Sequence, residues 1–112
     1  MTAVPLHPRK LRERGYNQAG LLARRLSAVT RLTFRPGTLR RIASGRPQST
    51  LPRGERLRNV RRSFATDSRA AGGRSILLID DVCTTGSTLE ACARTLLAAG
   101  AERVCAVVVA RA

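Results

Sequence analysis

With 112 residues, 43% of them hydrophobic and 25% charged, the chain is long enough for one modest core and too short for two. Two Phe, one Tyr and no Trp leave Leu, Val, Ile and Ala to build that core. No apolar run approaches the roughly 20 residues of a membrane span, and nothing at the amino terminus reads as a secretory signal; the net charge is +14. The reading is a single cytoplasmic domain over residues 1–112.

The elements alternate along the chain. AVPL, Ala3 to Leu6, is a short apolar strand followed by a polar loop, HPRKLRERG. In YNQAGLLARRLSAV, the residues Ala19, Leu22, Ala23, Leu26 and Val29 recur at helical spacing, with Asn17 as the N-cap. A second extended piece lies between Leu32 and Ile42, interrupted by the turn signal Pro36-Gly37. ASGRPQSTLPRGERLRNVRRSF then reads as a basic loop leading into a short helix that begins near Pro52, and TDSRAAGGR as a turn-rich connector.

SILLIDDV follows as a strand whose Ile76 to Ile79 core is continuously apolar, the pattern of a strand covered on both faces of a parallel sheet. Leu89, Cys92, Ala93, Leu96 and Leu97 mark one face of a helix that stops at Gly100, and RVCAVVVAR is a second buried strand. Strand, helix, strand over this span is a βαβ unit, so the fold class is α/β with a mostly parallel sheet and flanking helices.

Ligands of such sheets bind at the carboxyl ends of strands. Asp80 and Asp81 lie at that end, where adjacent like charges need a partner, and TTGST makes the turn into the next helix. A helix N-terminus offers amide hydrogens, Gly86 permits close approach of the backbone, and threonine and serine hydroxyls add donors. The stretch therefore predicts a phosphate cradle with two carboxylates at its mouth, suited to the hydroxyls of a sugar phosphate or to magnesium on it. It is no Walker P-loop, because no lysine follows Gly86. A phosphoacceptor receiver domain would place its acidic pair on the first strand with a downstream lysine, and neither condition is met.

Charge is segregated. Between Arg9 and Arg62 lie 16 basic residues against Glu13 and Glu55, so this segment carries the whole +14, while the remaining segments balance. Such a field attracts phosphorylated metabolites or nucleic-acid backbones, although an arginine-rich coding composition would also contribute solvated arginines. The three cysteines contain no CxxC pair. Cys92 and Cys105 are expected to be buried as small hydrophobes, and Cys83 sits within the motif.

ILLIDDVCTTGST resembles the phosphoribosyl pyrophosphate signature of type I phosphoribosyltransferases. With VPLHPRKLRERGYNQAGLLA and QSTLPRGERLRNVRRSF, it is similar to the ComF family, phosphoribosyltransferase-like proteins linked to bacterial competence. The resemblance implies a type I phosphoribosyltransferase-like fold. Asp80 and Asp81 would face the ribose hydroxyls and, through them or through water, Mg2+; Thr84, Thr85, Gly86, Ser87 and Thr88 would hold the 5-phosphate. Arg12 to Gly15 would occupy the place of the pyrophosphate loop, with Arg12, Arg14 and Gly15 as its main residues and Arg14 as the preferred partner of the leaving group. Arg46 to Arg53, within a basic loop at about 43–53, would correspond to the flexible loop that closes over the site. Many members of the family carry an amino-terminal zinc ribbon and a helix before the first strand. This sequence opens directly into AVPL and reads as an amino-terminally shortened member.

Two functions of different class follow. One is magnesium-dependent phosphoribosyl transfer from phosphoribosyl pyrophosphate to a nitrogen nucleophile, with no side chain standing out as general base; His7, the sole histidine, lies at a strand end. The other is a non-catalytic phosphoribosyl and single-stranded-DNA-binding module acting in competence. With only Tyr16, Phe34 and Phe64 as aromatics, DNA contact would be through phosphates rather than stacked bases. The acceptor and the oligomeric state are left open.

Overall fold

The computed structural model describes residues 1–42 and 63–112. The basic loop at about 43–53, with Arg46 and Arg53, and the helix expected near Pro52 lie outside the described residues.

Strand β4 (Ser75–Cys83) is the axis. It pairs in parallel with β1 (Thr2–Ala3) on one side and β5 (Arg103–Arg111) on the other, in the order β1-β4-β5. Strand side chains alternate between faces, so Ile76 and Leu78 point one way and Ile79 the other. All three are buried, which explains the unbroken apolar run: this strand is covered on both faces.

The first cover is helix α4 (Ser87–Ala98), whose Ala91, Cys92 and Leu96 join Val4, Leu39, Phe64, Ile76 and Leu78 in one core cluster. The second is helix α2 (Gln18–Thr30), which packs on β1 and β4 and buries Ala19 and Ala23 outside that cluster. Asn17 caps α2 as expected, its side chain accepting from the Ala19 amide at 3.1 Å. Its amide nitrogen also donates to the Val4 carbonyl at 3.0 Å, tying the start of α2 to the end of β1. Val29, assigned to the apolar stripe, is instead 79% exposed, because it lies in the last turn of α2.

Three expectations are corrected. HPRKLRERG is not a loop but helix α1 (Pro8–Arg14), with His7 as N-cap, Pro8 in its first turn and Gly15 at φ 79° closing it. The local signals were all there: proline at the start, glycine at the end and an Arg9–Glu13 pair one turn apart. They were hidden by the absence of any buried face on α1. The second correction concerns β5, which is a strand but not a buried one. As an edge strand covered by α4 on one face only, it leaves Cys105 exposed, contrary to its expected burial, with Val107 and Val109 47% and 70% exposed. The third is length: β1 is Thr2–Ala3 rather than Ala3 to Leu6, because Pro5 has no amide hydrogen to continue the ladder.

Between Leu32 and Ile42, the extended segment meets the amino terminus. The Met1 amine donates to the Thr33 carbonyl at 3.0 Å, and the Arg35 amide donates to the Met1 carbonyl at 2.9 Å. The chain then forms β2 (Arg40–Arg41), antiparallel to β3 (Phe64–Ala65), so that Arg41 lies opposite Phe64. Within TDSRAAGGR, a single helical turn, α3 (Ser68–Ala71), is capped by Asp67. Among the described residues, no helix is long and apolar enough to cross a membrane.

Candidate functional site

The unequal lengths of β1 and β4 create the site. The last bond on the β1 side is the Val4 amide to the Ile79 carbonyl, at 2.9 Å, and β4 runs on alone past that point. Asp80 and Asp81 are the first two residues beyond it. They lie within β4 rather than after it, since the β5 side stays paired to Cys83–Arg111. A cleft of about 150 Å³ opens where β1 stops, lined by Val4, Pro5, Leu6, Arg14, Asn17, Gln18, Arg41, Asp80, Asp81, Val82 and Thr88.

Consecutive strand residues project to opposite faces, which lowers the repulsion between the two acids. Each also holds the next backbone amide: Asp80 Oδ1 accepts from the Asp81 amide at 2.9 Å, and Asp81 Oδ1 accepts from the Val82 amide at 2.8 Å. Burial pushes the Asp80 carboxyl up to about 6; the bond it accepts from the Asp81 backbone amide opposes that rise, while the side chain and charge of Asp81 add to it. Cys92, packed beneath at 0% exposure, is pushed up to about 12 by burial first and by the nearby Asp80 second.

The second part of the site is a cradle of about 50 Å³, lined by Asp80, Val82 and the run from Cys83 to Leu89. Gly86 stands at φ 83° as the N-cap of α4 and supplies no side-chain cap. Thr85 and Ser87 hydroxyls bond each other, and Thr85 Oγ1 also accepts from the Ser87 amide at 3.3 Å. The positive end of a 12-residue helix thus points into a pocket rimmed by hydroxyls.

Among the described residues, no cluster of three or more His, Cys, Asp or Glu could hold a metal by itself. Two carboxylates with one oxygen each engaged by backbone fit a Mg2+ ion that keeps most of its ligands from phosphates and water.

The structure brings Asp80, Asp81, Thr84, Thr85, Gly86, Ser87, Thr88 and Arg14 around these two cavities. Arg12 and Gly15 line neither; they belong to the last turn and cap of α1, and only Arg14 turns into the cleft. His7 caps α1, its Nδ1 accepting from the Arg9 amide at 3.1 Å, and lines neither cavity. Sequence reasoning missed Arg41, Asn17 and Gln18 as lining residues. For Arg41 the signal was weak: in Thr38-Leu39-Arg40-Arg41, nothing local tells which arginine turns inward.

A phosphoribosyl transferase domain model matches residues 12–112, and the chain belongs to that family. Among curated proteins, it is 33% identical to "Competence protein F" of Haemophilus influenzae over 103 residues, which is 90% of this chain and 45% of that protein. It is 34% identical to "DNA utilization protein YhgH" of Escherichia coli K12 over 93% of this chain and 45% of that one. Identity to "Competence protein ComFC" of Bacillus subtilis is 40%, over 89% of this chain and 39% of that one. The chain therefore spans less than half the length of these relatives. No solved structure matches it.

Proposed function

We propose that this chain binds phosphoribosyl pyrophosphate with magnesium. The observation that carries the reading is the junction of the two cavities. The cradle and the cleft share Asp80, Val82 and Thr88. A ligand with a phosphate in the cradle would lay its next few atoms against Asp80, and its far end among Arg14, Arg41 and Asp81. Phosphate, polyol and second anion in that order describe a phosphoribosyl pyrophosphate.

In transfer chemistry, a nitrogen lone pair would form a bond to the anomeric carbon as the bond to pyrophosphate breaks, and pyrophosphate would leave with that electron pair. The protein's part is positional and electrostatic. The cradle fixes the 5-phosphate, Asp80 and Asp81 accept hydrogen bonds from the ribose hydroxyls, and the arginines meet the leaving charge. Magnesium, when bound, supplies charge neutralisation on the pyrophosphate. The proton released from the nucleophile would pass to solvent.

A second reading is favoured by the distribution of charge. Arg9, Arg12, Arg14, Arg24, Arg25 and Arg31 are exposed on and around α1 and α2. The names of the relatives point towards DNA use and competence. In this reading the chain is a module of competence that also contacts single-stranded DNA through phosphates.

The test is Asp80→Asn with Asp81→Asn in one chain, titrated with ribose 5-phosphate and with phosphoribosyl pyrophosphate plus magnesium. Affinity for both should fall while circular dichroism is unchanged. Full affinity in a folded double variant would remove the acids from the site.

A further inference from the structure

The amino ends of the parallel strands, away from the acids, frame a cavity of about 340 Å³. Thr2 at the start of β1 and Ser75 and Ile76 at the start of β4 line it, together with Leu32, Arg35 and Arg74. Strand rise puts Ser75 and Asp80 roughly 17 Å apart, so the cavity lies well away from the acids. Its lining shares no residue with the cleft or the cradle.

Arg35 and Arg74 reach this cavity from distant segments, and the backbone of each is pinned. The Arg35 amide donates to the Met1 carbonyl at 2.9 Å, and its carbonyl accepts from the hydroxyls of Thr38 at 2.9 Å and Thr2 at 3.3 Å. The Arg74 amide donates to the Ala71 carbonyl at 3.2 Å, and its carbonyl accepts from the Glu102 amide at 2.9 Å. Their guanidiniums have no carboxylate within 4.0 Å: among the described residues, ion pairs join Arg9 to Glu13 and Arg94 to Glu90, and no acid lines this cavity. The Met1 amine, also at its wall, is already engaged by the Thr33 carbonyl at 3.0 Å. In the cleft, Arg14 and Arg41 share the lining with two acids; here two guanidiniums line one hollow without a counter-charge. Like charges held on fixed backbones repel until an anion enters between them, and guanidinium forks phosphate oxygens in pairs.

We propose that Arg35 and Arg74 form a second phosphate site, remote from the acids, that takes the phosphate monoester of a small organic molecule. Two guanidiniums match the nearly double negative charge of a monoester at neutral pH better than the single charge of a phosphodiester. Thr33 and Ser75 add hydroxyls to the lining, and exposed Leu32 and buried Ile76 offer an apolar wall to the organic part. A phosphate alone fills only part of about 340 Å³, a volume within the range of small-molecule pockets. Arg35 is bonded to the residue before β1, and Arg74 immediately precedes β4, so a bound monoester bridges the start of the β1–β4 pair and stabilises the fold. This site goes beyond the phosphoribosyl reading and does not depend on it.

The experiment is isothermal titration of wild type, Gly86→Ala, Arg35→Gln, Arg74→Gln and Arg74→Lys with phenyl phosphate. Wild type should take up two per chain, one in the cradle and one between the arginines. Gly86→Ala should weaken only the first event. Either Gln variant should weaken only the second, by about 10- to 100-fold for one charge-assisted fork, and Arg74→Lys should recover part of that loss because charge returns without the fork. Both arginines are exposed, so the ligand-free Tm of the Gln variants should match wild type. A single event weakened by Gly86→Ala and untouched by either Gln variant would overturn the proposal and leave the cradle standing, and no binding of phenyl phosphate would also overturn it. A single event weakened by the Gln variants alone would support it and remove the cradle. Oligothymidylate lacking a terminal phosphate should bind wild type and both Gln variants within about threefold of one another. A loss there as large as that for phenyl phosphate would overturn the monoester assignment and make the arginines a nucleic-acid contact.

Discussion

Gly86→Ala and Gly37→Ala form a matched pair of perturbations. The two glycines stand at φ 83° and 84°, and a Cβ added at either meets no atom within 4 Å. Clash within the protein therefore contributes nothing, and the cost to folding is the left-handed backbone alone, about 1–2 kcal/mol for each. In a domain of this size, each kcal/mol corresponds to roughly 4 °C in Tm, so both variants should melt lower by a similar amount in a thermal scan. What differs is the space the methyl group enters. Gly86 lines the cradle of about 50 Å³, where a methyl group competes directly with a phosphate. Gly37 lines a different cavity of about 290 Å³ between α2 and the 34–39 segment, whose lining includes neither acid and no residue of the cradle. Loss of one charge-assisted amide bond should lower ribose 5-phosphate affinity about 10- to 100-fold in Gly86→Ala, measured by calorimetry, and leave Gly37→Ala unchanged. Equal affinity in the two variants, with equal Tm losses, would show that the phosphate does not sit at the start of α4.

The raised Asp80 carboxyl gives a pH signature. Because its folded value of about 6 exceeds its ordinary 3.8, the stability it contributes is fully present below 3.8 and is lost as pH rises through about 6. Asp80→Asn should flatten Tm against pH over that window, and an unchanged slope would contradict the burial argument. Ribose binding favours the ionised acceptor, so ribose 5-phosphate affinity should climb more steeply from pH 5 to 7 in wild type than in Asp80→Asn, where only the ligand's own phosphate, with a second pKa of about 6, titrates. Native protein treated with a thiol reagent should react quickly at exposed Cys105, and at buried Cys92 only on unfolding. Comparable rates at Cys92 and Cys105 would contradict the packing of α4 on β4. If the exposed arginines track single-stranded DNA, log affinity should fall against log salt with a slope of roughly −0.7 per phosphate contacted, and phosphoribosyl pyrophosphate should compete through the shared Arg14. A labelled oligonucleotide that does not bind at low salt would eliminate the DNA reading.

What was legible in the sequence was whatever a local pattern encodes. The continuous run Ile76 to Ile79 announced a doubly covered strand, Asn17 announced a helix start, and the acids followed by TTGST announced a helix terminus beside two carboxylates. Burial of β5 was not legible, because RVCAVVVAR is equally apolar whether a strand is central or at an edge, and only the sheet order decides. Helix α1 was missed for a related reason. Hydrophobic periodicity finds helices that bury a face, and α1 buries none, so its proline, glycine and ion pair were the sole guides. Arg41 depends on a pairing with Phe64 across more than twenty residues of intervening sequence, and no local pattern reports which residues meet across such a connection.

The central claim is most directly tested by calorimetric titration of the wild-type chain with phosphoribosyl pyrophosphate, with and without magnesium, alongside ribose 5-phosphate and unphosphorylated ribose. The account predicts saturable binding of one phosphoribosyl pyrophosphate per chain, strengthened by magnesium, with ribose 5-phosphate weaker and ribose weakest. Binding that is indifferent to magnesium and to both phosphate groups, or no binding of phosphoribosyl pyrophosphate with magnesium present, would contradict it.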